Sequence, residues 1–297
     1  MKNIYIVGSI NTDLVINTPI LPQKGETIMG NGFFMAHGGK GANQAIAAAR
    51  LGGRVIMCGA VGNDIYGKEA IASLKKENID VQHVKTIHSH STGTAMIIVN
   101  NGDNRIILDS GANLLLTKED IDQTLKDATN GDIYLTQLEN PIDIIGYGLQ
   151  KAKEKGLYVV LNPAPANKAI FPYLQYCDLI IPNETEIQIL GGKECLLEKV
   201  KIILTTLGDK GFEITTKDKS QKYDCIKIKA IDTTAAGDTL CGGLVASIAN
   251  GNSLEEAAKF GSLAASIACL KKGAQPSIPT KQEVITFFSN NNTKDFT

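Results

Sequence analysis

Short, almost continuously apolar runs recur along this chain and constrain its fold more than any other feature: Asn3–Gly8, Arg54–Val61, Asp132–Leu138, Leu157–Asn162, Asp178–Pro182 and Lys201–Leu207. Runs of this length without a polar face read as strands buried on both sides. Helical patterns lie between them at Gly41–Leu51, Tyr66–Glu77, Lys118–Ala128, Ile142–Lys155 and Asn183–Leu190. Strand, helix, strand in this rhythm predicts an α/β fold, a mainly parallel, doubly wound sheet flanked by helices. With 297 residues the chain is long enough to bury one large core, and a single domain over 1–297 is expected.

Two stretches break the rhythm. Thr12–Met35 and Thr92–Asn113 carry Gly, Pro and Asn around strand-like runs such as GTAMIIVN and NRIILD, the latter pair joined through NNGD, a hairpin turn signal. They predict a small β-sheet over about 12–35 and 92–113, either a lid or an oligomer interface. From Gly237 to about Leu270 the chain is rich in Ala, Ser and Gly and reads as two closely packed helices. Only KECLLEKV separates Gly192 from the strand at Lys201, so the helix Asn183–Leu190 is expected to serve as the whole crossover. The polar tail SNNNTKDFT is expected to fray.

Charge excludes some partners. Lys and Arg total 30 against 31 for Asp and Glu, so neither nucleic acid nor an anionic membrane is attracted broadly, and any anion is bound locally. The six cysteines are scattered, with no CxxC pair and no His at ligand spacing, which fits reduced thiols acting as small buried apolar groups. MKNIYIVGSIN runs directly into a strand pattern without a leader, and no apolar run approaches the roughly 20 residues of a membrane span. A soluble, cytoplasmic protein is expected.

Ligands bind open α/β sheets at the carboxyl ends of the strands. Here those ends read GSIN, LNP and IPN, followed by polar groups: Thr12 and Asp13 after GSIN, Glu139 and Asn140 after Leu138, Glu184 to Glu186 after IPN. Taken singly, each is equally a helix cap or turn. The run HGGKGANQAIAAARLG lets a ligand approach bare backbone at Gly38, Gly39 and Gly41, with Lys40 and Asn43 as donors, but fits neither the P-loop nor the dinucleotide spacing and is also an ordinary helix start.

The run TTAAGDT is more specific. Small residues at a helix start leave backbone N–H groups unpaired, and the helix dipole adds positive charge there. That makes an anion cradle. A carboxylate beside it would repel a phosphate unless it takes a proton from the group attacking that phosphate. As a plain first-turn carboxylate Asp238 would be explained, but the bare Ala235, Ala236 and Gly237 before it would not.

The motifs GSINTD, GGKGANQA, NPAPA, PNETE, TLGDKG, DTTAAGD and KKGAQPS, in this order over nearly the whole chain, closely resemble those of the PfkB-type, ribokinase-like sugar kinase family. The resemblance implies that fold with its small β-sheet lid, a homodimer paired through the lid, and ATP-dependent phosphorylation of D-ribose at the 5-hydroxyl to ribose 5-phosphate. Kinases for deoxyribose, fructose or adenosine are the alternatives within the family; a non-catalytic sugar-binding protein, or a scaffold acting through the lid, lies outside it.

Site residues follow by position. The resemblance makes Asp238 the base that deprotonates the sugar hydroxyl, and the Ala235, Ala236 and Gly237 amides the anion hole for the transferred phosphoryl group. It assigns Asn11, Asp13, Gly39, Lys40, Asn43 and Glu139, with Asp238, to the sugar, and Asn183, Thr206, Gly208, Gly211, Gly237 and Ser262 to ATP. Glu186 would hold Mg²⁺ through water. K⁺ would sit at Asp232, Thr234, Ala268, Lys271, Gly273 and Ser277, in part on backbone carbonyls. Ser262 stands where the family often has a His near the adenine, and the segment after PNETE is shorter than the family pattern.

Overall fold

The computed structural model describes residues 1–100 and 103–290. Its strands in chain order are β1 (Asn3–Val7), β2 (Asn11–Asn17), β3 (Asn31–Gly38), β4 (Arg54–Gly62), β5 (Asp80–Ile87), β6 (Gly93–Asn100), β7 (Asp103–Asp109), β8 (Ile133–Thr136), β9 (Tyr158–Leu161), β10 (Leu179–Ile180), β11 (Ile202–Thr206), β12 (Phe212–Thr215) and β13 (Ser220–Tyr223). The α-helices are α1 (Lys40–Arg50), α2 (Ile65–Lys76), α3 (Lys118–Thr124), α4 (Ile142–Glu154), α5 (Glu184–Ile189), α6 (Lys193–Leu197), α7 (Ala236–Ala249), α8 (Leu254–Ala268) and α9 (Lys281–Asn290).

The main sheet has nine strands in the order β13-β12-β11-β10-β9-β8-β1-β4-β5. It is parallel from β11 to β5, and β12 and β13 extend one edge antiparallel. The pleat of β1 shows why both faces need cover: Ile4 and Ile6 enter one core with α1, α7 and α8, whereas Tyr5 and Val7 enter the other with α3 and α4. β1 pairs with β4 on one side and β8 on the other, so the chain winds outward in both directions from this strand. The crevice at such a switch point is where doubly wound sheets bind ligands.

Helix α7 is set deep between two neighbours by adjacent glycines. A Cβ on Gly242 would stand 2.5 Å from Cβ of Ala47 in α1, and one on Gly243 would stand 3.1 Å from Cα of Gly261 in α8. Side chains there would push the helices apart, so the small-residue composition fixes how far α7 reaches toward the sheet.

A second sheet of four strands, β3-β2-β6-β7, begins where β1 ends. Asn11 opens β2 and pairs with Gly38 of β3 and Gly93 of β6. The sheet keeps Phe33, Phe34, Met35, Met96, Ile106 and Ile107 exposed, and β7 is exposed along its whole length. The hairpin turn expected at NNGD falls partly on Asn101 and Gly102, and most of the tail on 291–297; these lie outside the described residues.

Three expectations are corrected. The crossover after β10 is not one helix: Gly191 and Gly192, both at positive φ, end α5 and restart the chain as the short helix α6. The cysteines are free, but only Cys58, Cys177, Cys241 and Cys269 are buried, Cys195 and Cys225 being partly exposed. The sequence reading also lacked β5, β13 and α9, which are edge or surface elements, and β12, a short buried strand between β11 and β13. Among the described residues no helix is long and apolar enough to cross a membrane.

Candidate active site

The N-terminus of α7 meets the N-terminus of α1 at the carboxyl edge of the main sheet. Asp238, in the first turn of α7 and buried, accepts from Gln44 Nε2 at 2.9 Å on Oδ1 and from Asn43 Nδ2 at 3.0 Å on Oδ2. Ala235 caps α7 in the left-handed region, φ 59°, an uncommon conformation for a residue with a side chain and one that concentrates at functional sites. Its carbonyl accepts from the Thr239 N–H at 2.8 Å, while the Ala236 N–H donates to the Thr233 carbonyl at 3.2 Å. A Cβ on Gly237 would meet nothing within 4 Å, so this backbone faces open space.

On the side of the small sheet, the Asp13 carboxylate lies against Gly38. Burial, then the charges of Glu139 and Asp238, push Asp13 up to about 6. Glu139 Oε2 accepts from the Ser9 hydroxyl and from the Lys40 N–H, the latter at 3.1 Å. Burial acts to lower the Lys40 ammonium, but Asp238, Glu139 and Glu186 outweigh it and hold it above its ordinary value. Asn11 is fixed by Asn113, whose Nδ2 donates to Asn11 Oδ1 at 2.7 Å. Gly39, φ 86°, brings the chain so close to β2 that a Cβ would stand 2.8 Å from the Asn11 nitrogen.

Two cavities meet at α7. One, of about 230 Å³, is bounded by Lys40, Asn162, Asn183, Glu186 and Asp238. The other, of about 300 Å³, runs past Gly208, Gly211 and the 225–230 segment to Ser262 on α8. Thr206, Thr233, Ala236 and Gly237 line both. A ligand spanning the two would therefore pass over the bare start of α7, beside Asp238.

Asn183 and Glu186 cap α5 as well as lining the first cavity. The Asn183 side chain accepts from the Glu186 N–H at 2.8 Å, and Glu186 Oε2 accepts from the Asn183 N–H at 2.9 Å. The cap and the ligand wall are thus the same residues. Burial, and less strongly the nearby charge of Asp238, raise Glu186, against the Asn183 N–H and Lys40.

Farther along, Asp232 ties two loops together: Oδ1 accepts from Thr234 N–H and hydroxyl at 2.9 and 2.6 Å, and Oδ2 from the Gly273 N–H at 2.9 Å. Ala268 and Ser277 lie in the same region, Ser277 donating to the Ala274 carbonyl at 2.7 Å. The Lys271 ammonium pairs with Glu283 at 2.8 Å, which leaves its backbone carbonyl for any cation. Among the described residues no group of three His, Cys, Asp or Glu is placed to hold a metal.

The pfkB family carbohydrate kinase profile matches residues 1–281. The chain belongs to this family. The pfkB kinase is 41% identical to a ribokinase of Haemophilus influenzae, over 97% of this chain and 99% of that one. Among solved structures, a ribokinase of Thermotoga maritima aligns with TM-score 0.88 and 37% identity, covering 98% of this chain and 100% of that one. An Arabidopsis thaliana ribokinase complexed with ribose and ATP aligns with TM-score 0.85 and 29% identity, covering 96% and 98%.

Several residues of this pfkB site escaped the sequence reading. Gln44 and Asn162 stood inside quoted motifs, GGKGANQA and NPAPA, without a role of their own. Asn113 and Gln137 carried no motif at all, and only the fold brings Asn113 to Ile10 and Gln137 to Gln44. Cys225 to Ala230, a wall of the second cavity, follows an unforeseen edge strand.

Proposed function

We propose that this pfkB carbohydrate kinase transfers the γ-phosphoryl group of ATP to the 5-hydroxyl of D-ribose, giving ribose 5-phosphate and ADP. The observation that carries the reading is the placement of Asp238 where the two cavities share the start of α7. Asp238 takes the hydroxyl proton, the oxygen forms a bond to the γ-phosphorus, and the bond from that phosphorus to the β-phosphate oxygen breaks. The start of α7, bare at Gly237 and carrying the positive end of the helix dipole, faces the charge that develops on the transferred group.

Asp13 and Glu139 accept from sugar hydroxyls, Lys40 donates, and Asn11 and Gly39 shape the wall. ATP extends over Gly208 and Gly211 toward Ser262, with Asn183 and Thr206 along the phosphates. Glu186 has a carboxylate oxygen with no hydrogen bond among the described residues, so it fits a water-bound Mg²⁺, which supplies charge neutralisation of the phosphates when bound. Asp232, with carbonyls of Thr234, Ala268, Lys271, Gly273 and Ser277, offers the hard oxygens that would hold a K⁺ ion, which would supply positive potential beside α7. The four-stranded sheet acts as a lid, and its exposed apolar face is covered by a second copy in a homodimer. A soluble cytoplasmic location accords with this chemistry.

The test is ADP formation by the purified protein with ATP, Mg²⁺ and K⁺ against D-ribose, 2-deoxyribose, fructose, adenosine and no sugar. Turnover highest with ribose supports the reading. Turnover favouring another member of the panel moves the substrate, and ADP at blank level with every one overturns the kinase assignment.

A further inference from the structure

Asp238 is braced by a chain of neutral amides that touches no part of either cavity except at Asn162. Gln44, fully buried, donates through Nε2 both to Asp238 Oδ1 at 2.9 Å and to Asn162 Oδ1 at 3.1 Å. Its Oε1 accepts from Gln137 Nε2 at 2.6 Å. These residues come from α1, from the end of β9 and from the end of β8.

The direction of the chain is fixed at its far end. Asn162 Nδ2 donates to the Ile181 carbonyl at 2.8 Å, and a carbonyl can only accept. Asn162 must therefore turn its oxygen toward Gln44, and Gln44 must turn its nitrogen toward Asn162 and Asp238. Side-chain amides can otherwise rotate by half a turn and exchange donor for acceptor. Gln137 completes the lock by donating to the Gln44 oxygen, although this leaves its own Oε1 buried without a partner. A buried acceptor left unpaired is costly, so its orientation is set by what it gives to Gln44.

We propose that Gln44 is a positioning residue for phosphoryl transfer, holding the carboxylate plane of Asp238 in the orientation that receives the hydroxyl proton, with Asn162 and Gln137 fixing the polarity of its amide. The inference rests on Asp238 being the base. Donors at both oxygens, Gln44 on one and Asn43 on the other, stop the carboxylate from rotating. The titratable groups that interact with Asp238 include Lys40, Asp13, Glu186 and Cys241, and none belongs to the amide chain.

Gln44→Met keeps length and bulk but removes the donors. Its kcat is expected to fall about 10- to 100-fold, the scale for a reacting group displaced by about an ångström. KM for ATP should stay within about 3-fold, since only interactions made in the transition state are lost. Gln137→Met, which removes only the brace behind Gln44, should show a smaller fall of the same kind. A folded Gln44→Met with wild-type kcat overturns the proposal. So does wild-type kcat in Gln137→Met if Gln44→Met fails to fold, and failure of both to fold assigns the network to the scaffold instead. An inactive wild-type protein, or a fully active Asp238→Asn, would refute the kinase reading and is told apart by those two controls.

Discussion

A Cβ on Gly38 would lie 2.5 Å from Asp13 Oδ1 and 2.6 Å from Oδ2. The pairing of β2 with β3 places the two residues together, Asn11 opposite Gly38 and Asp13 opposite Ala36, so the bare Cα of Gly38 is what gives the half-buried carboxylate its room. Gly38 does not need a positive φ; it is required by close approach alone.

Gly38→Ala is therefore expected to displace Asp13 and raise KM for the sugar about 10-fold or more, the scale of a lost hydrogen bond to a charged group. KM for ATP should be unchanged, because the nucleotide cavity lies on the other side of α7. Steady-state kinetics with each substrate varied in turn checks both.

Asp13 also carries a stability cost. Burial, then Glu139 and Asp238, push it up to about 6, so the folded state holds the proton more tightly than the unfolded state. The folded protein then loses stability as pH rises from the ordinary carboxylate range toward about 6, and the loss is complete above it. Asp13→Asn should raise Tm at pH ~7 by about 2 °C or more while weakening sugar binding. The gain should vanish below about pH 4, where both states are protonated. Melting curves at the two pH values decide this, and a lower Tm for the variant at neutral pH contradicts it.

The main sheet was legible because its parallel strands are buried on both faces and read as apolar runs, and α1 to α4 because their periodicity and flanking glycines mark them. Edge strands were not. β5, DVQHVKTI, alternates polar and apolar residues with one face exposed, and β13, SQKY, has almost no apolar content. α6 was missed because five residues hold too little periodicity to register. At the site, backbone-dictated residues such as Gly39 and the Ala235 to Gly237 run stood out by their lack of side chain. Gln44, Asn162 and Gln137 did not, since an amide has no role until its partners, far apart in the sequence, are known.

Cys225 offers an independent probe of the nucleotide cavity. It is partly exposed on that cavity's wall, its thiol donating to the Asp209 carbonyl at 3.1 Å, whereas the other partly exposed thiol, Cys195, lies on α6. Alkylation followed by peptide mass spectrometry should show both labelled in the free protein and only Cys225 protected by ATP. Equal labelling of Cys225 with and without ATP would place the nucleotide elsewhere.

The exposed apolar side chains of the small sheet lead to a test of assembly. Met35 on β3, Met96 on β6 and Ile107 on β7 share one face of the sheet by register and are 52%, 55% and 65% exposed, more than a strand face keeps in water without a partner. Ile107→Asp should convert dimers to monomers in sedimentation and leave the main core intact. A wild-type protein that is monomeric at all concentrations would refute pairing through this sheet.

The most direct test of the whole account is kcat of Asp238→Asn beside wild type, with ribose and ATP saturating and circular dichroism confirming the fold. Removing a general base predicts a fall of at least ~10²-fold with the structure retained. Activity near wild type in the folded variant would contradict the assignment of Asp238, and with it the reading of the bare helix start as the seat of phosphoryl transfer.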